Sequence, residues 1–525
     1  MTQTSTALRL SLALALVGLL AGCDFMWPKY NACHTGQCVD MAVAADLDTA
    51  ADVGLDADAV PADLVADQDA ARGDDQAVAP PAWAVSMGAA CGSADAGAAG
   101  CVHEGQAIAV EKKGNVLVAG TFQGAVTFGG TSLTSTGTTA DLFVAVLNPS
   151  GKVIWATASS TKAGIRAGGL AVDNAGNAYI IGTITGPATL GSTSLTVTKT
   201  AEMFLAKLDI TKGAFVWAVT PAAEDSEGTG VAVGPKGHPH VTGSFRGAGK
   251  FGQTTALNSK HKDVFVAKVD SAKGTFTWVA HGGGTLEDRA LAIAVEGKGH
   301  AYITGKFSKI ATFGVMTVKT AALSDMFVAK VDPKGNFEWA YGTGKASLAS
   351  GTGLCVDHIG NAYVTGTFRV STQFGSTAIK SKAYTDFFAA KIDVAGNWIW
   401  AAGGETSCGA KADAGAYSCE AWATGIALGV GGDVLVTGKY HGALKAGNLT
   451  SKGEHDVFVA RVSATASLKG GASAGGKGAD TAAAIAADGQ DNAYVTGSFA
   501  GSAGFGGATL SAKGGKDVFV WKARP

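Results

Sequence analysis

The sequence lacks helical periodicity. After residue 23, no stretch of helical length repeats its apolar residues every 3.6 positions. The apolar run Leu10–Leu20 near the start is too short to cross a bilayer as a permanent helix, and it has the form of a secretory signal. A helical fold is therefore excluded, and an all-β fold is predicted.

Sequence motifs of two large enzyme classes are also absent. There is no His-Glu-x-x-His zinc motif and no Gly-x-x-x-x-Gly-Lys-Ser/Thr phosphate loop. The abundant glycines recur at strand turns, so short Gly-x-Gly matches do not indicate nucleotide binding. We expect a protein that is not an enzyme, with no catalytic residues, no cofactor and no bound metal.

A pattern that occurs seven times fills the sequence from residue 83 onward. Each copy has a glycine late in an apolar strand, followed by an acid-x-Phe marker. The glycines are Gly120, Gly182, Gly243, Gly305, Gly366, Gly438 and Gly497. The acids are Asp141, Glu202, Asp263, Asp325, Asp386, Asp456 and Asp517. The first five glycines recur every 61 or 62 residues, which is typical of a radial array of small sheets.

One copy shows the strand content of the repeat. In residues 284–340, Ala292–Glu296 and His300–Phe307 read as two strands joined by a glycine turn, and Asp325–Asp332 and Phe337–Ala340 read as a second pair. Four antiparallel strands are typical of a propeller blade, whose faces are both covered by neighbouring blades. We predict a seven-bladed β-propeller of four-stranded antiparallel blades over residues 83–525.

Tryptophans mark the fourth strand and indicate how the last blade closes. They are Trp155, Trp217, Trp278, Trp339 and Trp400. The sixth copy has no such tryptophan, and its fourth strand is expected near Ser463–Leu468. The seventh ends at Pro525 without a fourth strand, whereas Trp83-Ala84-Val85 stands alone before the first copy. We expect this N-terminal strand to complete the last blade and remove an exposed sheet edge.

The repeated positions are expected to be structural. The strand glycine marks a close approach of another group, and the acid should accept hydrogen bonds from a turn. A basic residue ends the third strand in six copies, with its stem on apolar surface and its charge in water. These residues are Lys207, Lys268, Lys330, Lys391, Arg461 and Lys522. Calcium binding by the acids and a functional ring of cations are the alternatives.

The N-terminal 82 residues differ from the repeats. Leu20-Ala21-Gly22-Cys23 resembles the bacterial lipobox, and the resemblance implies that residues 1–23 are a lipoprotein signal with a lipidated Cys23. Residues 24–82 hold twelve aspartates and only two bases, a net charge of −10, whereas residues 83–525 carry +7. This Ala/Asp-rich segment cannot bury enough surface to fold, which predicts a disordered stalk.

Cysteine is scarce, and its positions favour an oxidising compartment. Apart from Cys23, three close pairs predict local disulfides: Cys33–Cys38, Cys91–Cys101 and Cys408–Cys419. Cys355 lies in a strand, in register with alanines of other copies. We expect it to be a small buried residue and not a nucleophile.

Two groups of residues are candidates for chemistry. His238-Pro239-His240 would place both rings on one side of a strand, as a metal pair requires, but it lacks an obvious third ligand. Glu224-Asp225-Ser226-Glu227 and Glu287-Asp288-Arg289 lie in corresponding loops, and such carboxylates can serve glycosidic chemistry. We expect substitution within the repeat to explain the histidines.

The connections differ in length in a regular way. First-to-second and third-to-fourth turns are tight, whereas second-to-third and fourth-to-first connections are long. Antiparallel order places both long sets on the same side, called here the long-connection face. The insertion Gly403–Ala423, with Tyr417 and Trp422, belongs to it. Because binding residues concentrate in variable loops, we take Tyr417 and Trp422 as the candidate binding loop, with drift in loop length as the alternative.

The repeat resembles a known family at the level of its strands. Gly360–Phe368, with the order Gly-Asn-Ala-Tyr-Val-Thr-Gly-x-Phe, and Asp263–Asp270, with Asp-Val-Phe-Val-Ala-Lys-Val-Asp, resemble the SBBP-type β-propeller repeat of bacterial exported proteins. The similarity covers nearly all of residues 83–525. It implies a propeller on an exported protein and carries no catalytic motif.

Together these observations predict a lipid-anchored protein of the bacterial cell envelope. We favour the outer membrane or cell surface over the inner membrane, and a non-catalytic scaffold that binds a protein or glycan, but no nucleic acid. An exported hydrolase or lyase that uses the loop carboxylates is one alternative. A scaffold for envelope assembly is the other.

The lipid anchor gives the first prediction. Cys23→Ala removes the thiol that the acyl chains require, so the variant should leave the membrane fraction and appear in the soluble fraction after cell fractionation. Cys355→Ala is the matched control and should stay with the membrane. Persistent anchoring of the Cys23 variant would contradict the lipobox assignment.

Overall fold

The computed structural model describes residues 82–88 and 101–525, except 138, 162–163, 198–199, 254–255, 345–347, 409–418 and 514. The chain divides into two units, Met1–Ala79 and Pro80–Pro525. The first unit lies outside the described residues, and with it lie Cys23, the predicted disulfide Cys33–Cys38 and nearly all of the predicted stalk. The sections below concern the second unit.

The described part of the second unit is almost entirely β-strand and turn. Its helical segments are three single 3-10 turns, Pro235–Gly237, Val430–Gly432 and Ala446–Asn448. Among the described residues, no helix is long and apolar enough to cross a membrane. The all-β prediction is confirmed.

The described strands form seven four-stranded antiparallel sets, called here repeat units 1 to 7. The first strands are Glu104–Val110, Ile165–Val172, Glu227–Val233, Arg289–Val295, Ser350–Val356, Glu420–Leu428 and Thr481–Ala487. The second strands are Val116–Phe122, Asn177–Ile184, Pro239–Lys250, Ala301–Phe313, Ala362–Phe368, Val434–His441 and Ala493–Phe499. The third strands are Asp141–Leu147, Glu202–Asp209, Ala256–Val269, Met316–Val331, Asp386–Ile392, Asp456–Val462 and Asp517–Ala523. The fourth strands are Val153–Ala158, Ala214–Val219, Phe276–Gly284, Phe337–Gly342, Trp398–Gly403, Leu468–Gly476 and Trp83–Met87.

The fourth strands of units 6 and 7 differ from the others. Trp83–Met87 pairs antiparallel with Asp517–Ala523 and thus occupies the fourth position of unit 7. In unit 6 the fourth strand begins only at Leu468, so the prediction near Ser463–Leu468 is wrong in its start. The reason is a tight turn, in which the Ser463 N–H donates to the carbonyl of Ser467 at 2.8 Å.

The tryptophans of the fourth strands connect neighbouring units. In units 1 to 4 the indole N–H donates to a backbone carbonyl of the next unit at 3.0–3.3 Å, namely Trp155 to Ile210, Trp217 to Ser271, Trp278 to Pro333 and Trp339 to Val394. The indole N–H of Trp400 in unit 5 is buried without a partner among the described groups. Trp83 makes the same bond to Pro149 of unit 1 at 3.0 Å. The fourth strand of unit 6 has no tryptophan, and Arg461 Nε–H of the third strand instead donates to Pro525 at 3.3 Å.

Most second-to-third connections contain an extra hairpin that the sequence interpretation lacks. These hairpins are Ala125–Phe128 with Thr131–Thr134, Ala188–Leu190 with Thr193–Leu195, Ser371–Phe374 with Thr377–Lys380, Ala443–Leu444 with Leu449–Thr450, and Ser502–Phe505 with Ala508–Ser511. In units 3 and 4 the same hairpin is formed by extensions of the second and third strands. The short strands Ser160–Thr161 and Ala222–Ala223 pair with residues of the following unit. A Phe-Gly pair at the tip, as at Phe374-Gly375, is the signal that was available.

The apolar core lies between neighbouring units. Each cluster of buried side chains draws on two consecutive units, as for Phe204 of unit 2 with Leu142 of unit 1. One cluster joins Val518 of unit 7 to Val118 of unit 1. Coverage on both faces of each sheet explains the continuous apolar runs in the sequence.

Each first strand carries a bulge opposite the repeated glycine. The register shifts by one residue there in all seven units. A Cβ on Gly366 would lie 1.9 Å from the carbonyl oxygen of Ser350 and 2.9 Å from the ring of Phe388. The ring over the glycine therefore belongs to the third-strand acid-x-Phe marker. The glycine is required because the bulged carbonyl occupies the space of a side chain.

This close approach gives the second prediction. Gly366→Ala should destabilise the protein by roughly 1–3 kcal/mol or more, because a backbone oxygen cannot move aside as a side chain end can. Gly297→Ala is the matched control, since its Cβ would have no neighbour within 4 Å. Urea unfolding of both variants measures the difference, and equal midpoints would contradict the structural role of the glycine.

Candidate functional site

The bulge defines two positions on each first strand. In each first strand, one residue pairs with the repeated glycine. The residue that precedes it in the sequence occupies what is called here the collar position. The collar residues are Glu104, Arg166, Glu227, Arg289, Ser350, Trp422 and Thr481. The extra residue of the bulge is called the bulge position. The bulge residues are Gln106, Gly168, Thr229, Leu291, Thr352, Thr424 and Ala483.

Bulge residues join the first strands of neighbouring units. The hydroxyls of Thr229, Thr352 and Thr424 donate to a backbone carbonyl of the next first strand at 2.8–3.1 Å. In unit 1 the side-chain oxygen of Gln106 instead accepts a hydrogen bond from the Ala167 N–H at 2.9 Å. These bonds hold consecutive first strands side by side and fix the spacing of the collar residues.

Collar and bulge residues line a cavity of about 850 Å³. All seven units contribute to its wall, through five of the collar residues and all of the bulge residues. First strands begin, and second strands end, at the long connections. The cavity therefore lies toward the long-connection face, which the sequence analysis favours for binding.

Charges of the cavity wall alternate in the first four units. The Glu227 carboxylate pairs with the Arg289 guanidinium at 3.1 Å and with the Lys262 ammonium. Arg289 also contacts Glu287 at 3.4 Å. On the other side, Lys262 lies 3.7 Å from Asp225. The two predicted carboxylate loops are thus brought together, in a continuous series of ion pairs.

Asp288 differs from the other loop carboxylates because it is fully buried. One of its oxygens accepts a hydrogen bond from the Ser308 N–H at 2.8 Å, and its second oxygen has no partner among the described groups. Burial raises the pKa of Asp288 to about 7, with a further contribution from the Asp263 carboxyl. Burial also raises the pKa of Asp263. Asp288 has no access to a substrate, which makes it a structural group.

The third-strand acids contact turns, as their position predicts. Asp141 accepts from the Thr161 N–H at 2.8 Å, and Asp386 accepts from the Thr406 hydroxyl at 2.6 Å. Asp456 and Asp517 accept from backbone N–H groups four residues earlier. Among the described residues, no group of three or more histidine, cysteine, aspartate or glutamate side chains has the arrangement of a metal site.

The basic residues at the ends of the third strands cover tyrosine rings. The ammonium of Lys391 lies 4.8 Å from the ring centre of Tyr363, and Lys207, Lys330 and Lys522 make the same contact with their tyrosines. Lys207 also donates to a carbonyl of the next unit. Lys522 is only 1% exposed, so the expectation that these charges reach water is wrong at this position. These contacts favour a packing role.

The two histidines of His238-Pro239-His240 have separate environments. The Ser271 N–H donates to His238 Nδ1 at 3.2 Å in a turn. The buried ring of His240 packs against Trp278 at 5.9 Å, as Tyr179 packs against Trp217 in unit 2. Burial lowers the pKa of His240 to about 4. The described geometry favours the substitution hypothesis over a metal pair.

The insertion is shorter than the sequence predicts. A disulfide joins Cys408 to Cys419, and the first strand of unit 6 begins at Glu420. Trp422 therefore lies in a strand, paired with Lys439, and its assignment to a binding loop is wrong. The cause is the strand register, because pairing with the second strand continues on the N-terminal side of the bulge as far as Glu420. Tyr417 lies outside the described residues.

The last residues to compare with the sequence predictions are the other cysteines of the second unit and Ser473. Cys101 is disulfide-bonded, whereas Cys91 lies outside the described residues. Cys355 is the free cysteine of the described part, and burial raises its pKa far above the usual range. Ser473 lies between Gly471 and Gly475 at the spacing of a nucleophile elbow. However, it sits within a strand and accepts from the Tyr440 hydroxyl at 3.0 Å.

The sequence analysis does not identify the collar and bulge residues as a site. Their identities vary from unit to unit, so the repeat pattern does not mark them. Their distance from the repeated glycine along the chain is the available signal, once the bulge is known.

Comparisons with known proteins find remote likenesses. No family model matches the chain. An uncharacterized WD repeat-containing protein, L264 of Acanthamoeba polyphaga mimivirus, is 25% identical over 28% of this chain, and the match spans only 12% of the viral protein. The chain is a repeat protein of the β-propeller type.

Similar solved structures are distant. Kuenenia stuttgartiensis hydrazine synthase is 10% identical, with 74% of this chain and 92% of that chain covered and a TM-score of 0.41. The Dos1 propeller is 7% identical, with 80% and 92% covered and a TM-score of 0.37. The quinohemoprotein alcohol dehydrogenase of Comamonas testosteroni is 11% identical, with 84% and 76% covered and a TM-score of 0.36. At this level they carry no argument about activity.

The buried Asp288 gives the third prediction. Its pKa is about 7 in the folded protein, above the ordinary aspartate value of 3.8, so the stability that it contributes is full below pH 3.8 and is lost as the pH rises to 7. Asp288→Asn should therefore reduce the loss of unfolding free energy between pH 4 and 7 by about 1–3 kcal/mol. Urea titrations at several pH values measure it.

Asp209→Asn is the control with the opposite sign. Hydrogen bonds from Thr211 and Lys212 lower the pKa of Asp209 to about 2, so this carboxylate stabilises the fold above its unfolded pKa. The Asn variant should lose stability at neutral pH and match the parent at low pH. An unchanged pH profile in Asp288→Asn would contradict the assigned burial.

Proposed function

We propose that the protein is a lipid-anchored, non-catalytic scaffold of the bacterial cell envelope. In this proposal a closed seven-bladed propeller of the SBBP type binds a protein or glycan partner through its long-connection face. The observation that carries the proposal is the cavity on that side, whose wall draws on all seven units.

Ring closure is supported by contacts between units 7 and 1. The strand Trp83–Met87 completes unit 7, and the Trp83 indole donates to unit 1 as the other tryptophans donate to their next units. The first strands of units 7 and 1 also contact each other, as do consecutive first strands elsewhere. In the proposed ring, these contacts would cover the faces of both terminal units.

Binding on the long-connection face is supported by exposed apolar side chains in units 4 and 5. In unit 4, Ile310 and Leu323 belong to the extended second-to-third hairpin, and Leu323 is 74% exposed. In unit 5, Val370 and Tyr384 lie in the corresponding connection, and Arg369 stacks on the Tyr384 ring at 4.3 Å. Exposed apolar residues with an aromatic–arginine pair are the composition of protein interfaces.

A binding role is also supported by the state of the loop carboxylates. Asp225, Glu227 and Glu287 all pair with arginine or lysine side chains, and Asp288 is buried. An acid–base pair in glycoside hydrolysis needs two carboxyl groups that face the substrate. The pairing therefore favours a structural over a catalytic use of these loops.

The fourth prediction tests the face. A photo-crosslinking residue at Leu323, introduced into the full-length protein on intact cells, should produce a crosslinked partner. The same residue at Ile359, which is 61% exposed in a short first-to-second turn, is the matched control and should give no such product. Gel shift and mass spectrometry measure both. Crosslinking at Ile359 alone would contradict the choice of face.

A further inference from the structure

Two pairs of collar residues carry the same charges but differ in contact. Glu227 and Arg289, from units 3 and 4, form an ion pair at 3.1 Å. Glu104 and Arg166, from units 1 and 2, stand at the same two positions and line the same cavity. Among the described residues, neither Glu104 nor Arg166 has an ion-pair partner within 4.0 Å.

The bulge residue between the two charges also differs. In units 3 and 4 this residue is Thr229, whose short side chain donates to the Ala290 carbonyl at 2.9 Å. In units 1 and 2 it is Gln106. Its NH₂ group donates to the Glu104 carboxylate at 3.3 Å, and its side-chain oxygen accepts from the Ala167 N–H at 2.9 Å. The Gln106 amide thus bonds both to the Glu104 carboxylate and to the strand that carries Arg166.

The surroundings of the open pair leave room for a ligand. Arg166 is exposed to the cavity, and its neighbour across the strand ladder is the small Thr183. The hydroxyl of Thr185 is held by the Gly164 carbonyl at 3.1 Å, which positions the adjacent connection. A planar guanidinium binds a carboxylate through two parallel hydrogen bonds, and a carboxylate accepts hydrogen bonds from an ammonium group.

We propose that the open pair binds a small zwitterionic ligand, with its carboxylate on Arg166 and its ammonium group on Glu104. An amino acid or a related aminocarboxylate has this chemistry. The inference goes beyond the proposed function, because it uses the same cavity but adds a small-molecule ligand to the protein or glycan partner. The partner-binding face tested through Leu323 lies on other residues, so the two claims fail separately.

The arrangement selects a zwitterion over a singly charged ligand. A carboxylate on Arg166 alone would place a second negative charge beside Glu104, and an amine on Glu104 alone would place a second positive charge beside Arg166. Like charges at short distance oppose binding. A ligand with both charges compensates both residues at once.

The fifth prediction uses three probes with one carbon skeleton: 4-aminobutyrate, butyrate and butylammonium. Calorimetry on the full-length protein at neutral pH and low salt should show that 4-aminobutyrate binds at least about tenfold more tightly than either singly charged analogue. Glycine and 6-aminohexanoate, tested in the same way, report the spacing between the two charges.

Three variants test the residues. Arg166→Gln and Glu104→Gln should each remove the advantage of the zwitterion. Gln106→Thr introduces the residue of unit 3, and it should close the pair and abolish binding while the melting temperature stays near that of the parent. Lys212→Gln, on the opposite side of the unit, is the control and should bind as the parent does.

Several results would overturn the inference. They are equal affinity for 4-aminobutyrate and butyrate, absence of binding by every aminocarboxylate, and unchanged binding in Arg166→Gln. If Gln106→Thr loses binding and also has a lowered melting temperature, the loss has two explanations, a closed pair or a damaged fold. Arg166→Gln decides between them, because the exposed Arg166 side chain makes no structural bond whose loss would damage the fold. Crosslinking at Leu323 in any of these cases leaves the scaffold proposal intact.

Discussion

The structure depends on one close approach, between the repeated glycine of each second strand and a bulged carbonyl of the first strand. A Cβ on Gly120 would lie 1.9 Å from the Glu104 carbonyl oxygen, and the other six glycines show the same distance to within 0.1 Å. Because glycine has no side chain, it leaves room for this carbonyl, and the first strand can contain an extra residue as a bulge. In four units the side chain of that extra residue bonds to the next unit, and the extra residues of all seven units line the cavity.

Three kinds of contact join neighbouring units. Bulge residues such as Thr352 bond the first strands, buried apolar clusters fill the space between the sheets, and tryptophans such as Trp339 bond the fourth strand to the next unit. Each neutral hydrogen bond contributes only about 1 kcal/mol, so the buried surface supplies most of the stability. The hydrogen bonds instead fix the register of one unit against the next.

Much of the fold could be predicted from the sequence because it repeats. The glycine, the acid-x-Phe marker and the tryptophan each solve the same packing problem in successive units, so their periods are visible. The matching Trp83 segment indicated the partner of Asp517–Ala523 for the same reason. The extra hairpins were missed because their strands are short and exposed on one side. The start of Leu468–Gly476 was missed because a serine turn replaces the tryptophan signal.

The candidate site could not be predicted because its residues are those that do not repeat. Glu104, Gln106 and Arg166 have no common pattern with Ser350 and Thr352, although they hold the same positions. Only the bulge register shows that they are equivalent. The bulge residue is glutamine beside the open pair of charges in units 1 and 2, and threonine beside the closed pair in units 3 and 4. A scaffold with seven equivalent positions can therefore change its cavity one residue at a time, since the glycine and the bulge that hold each position stay the same.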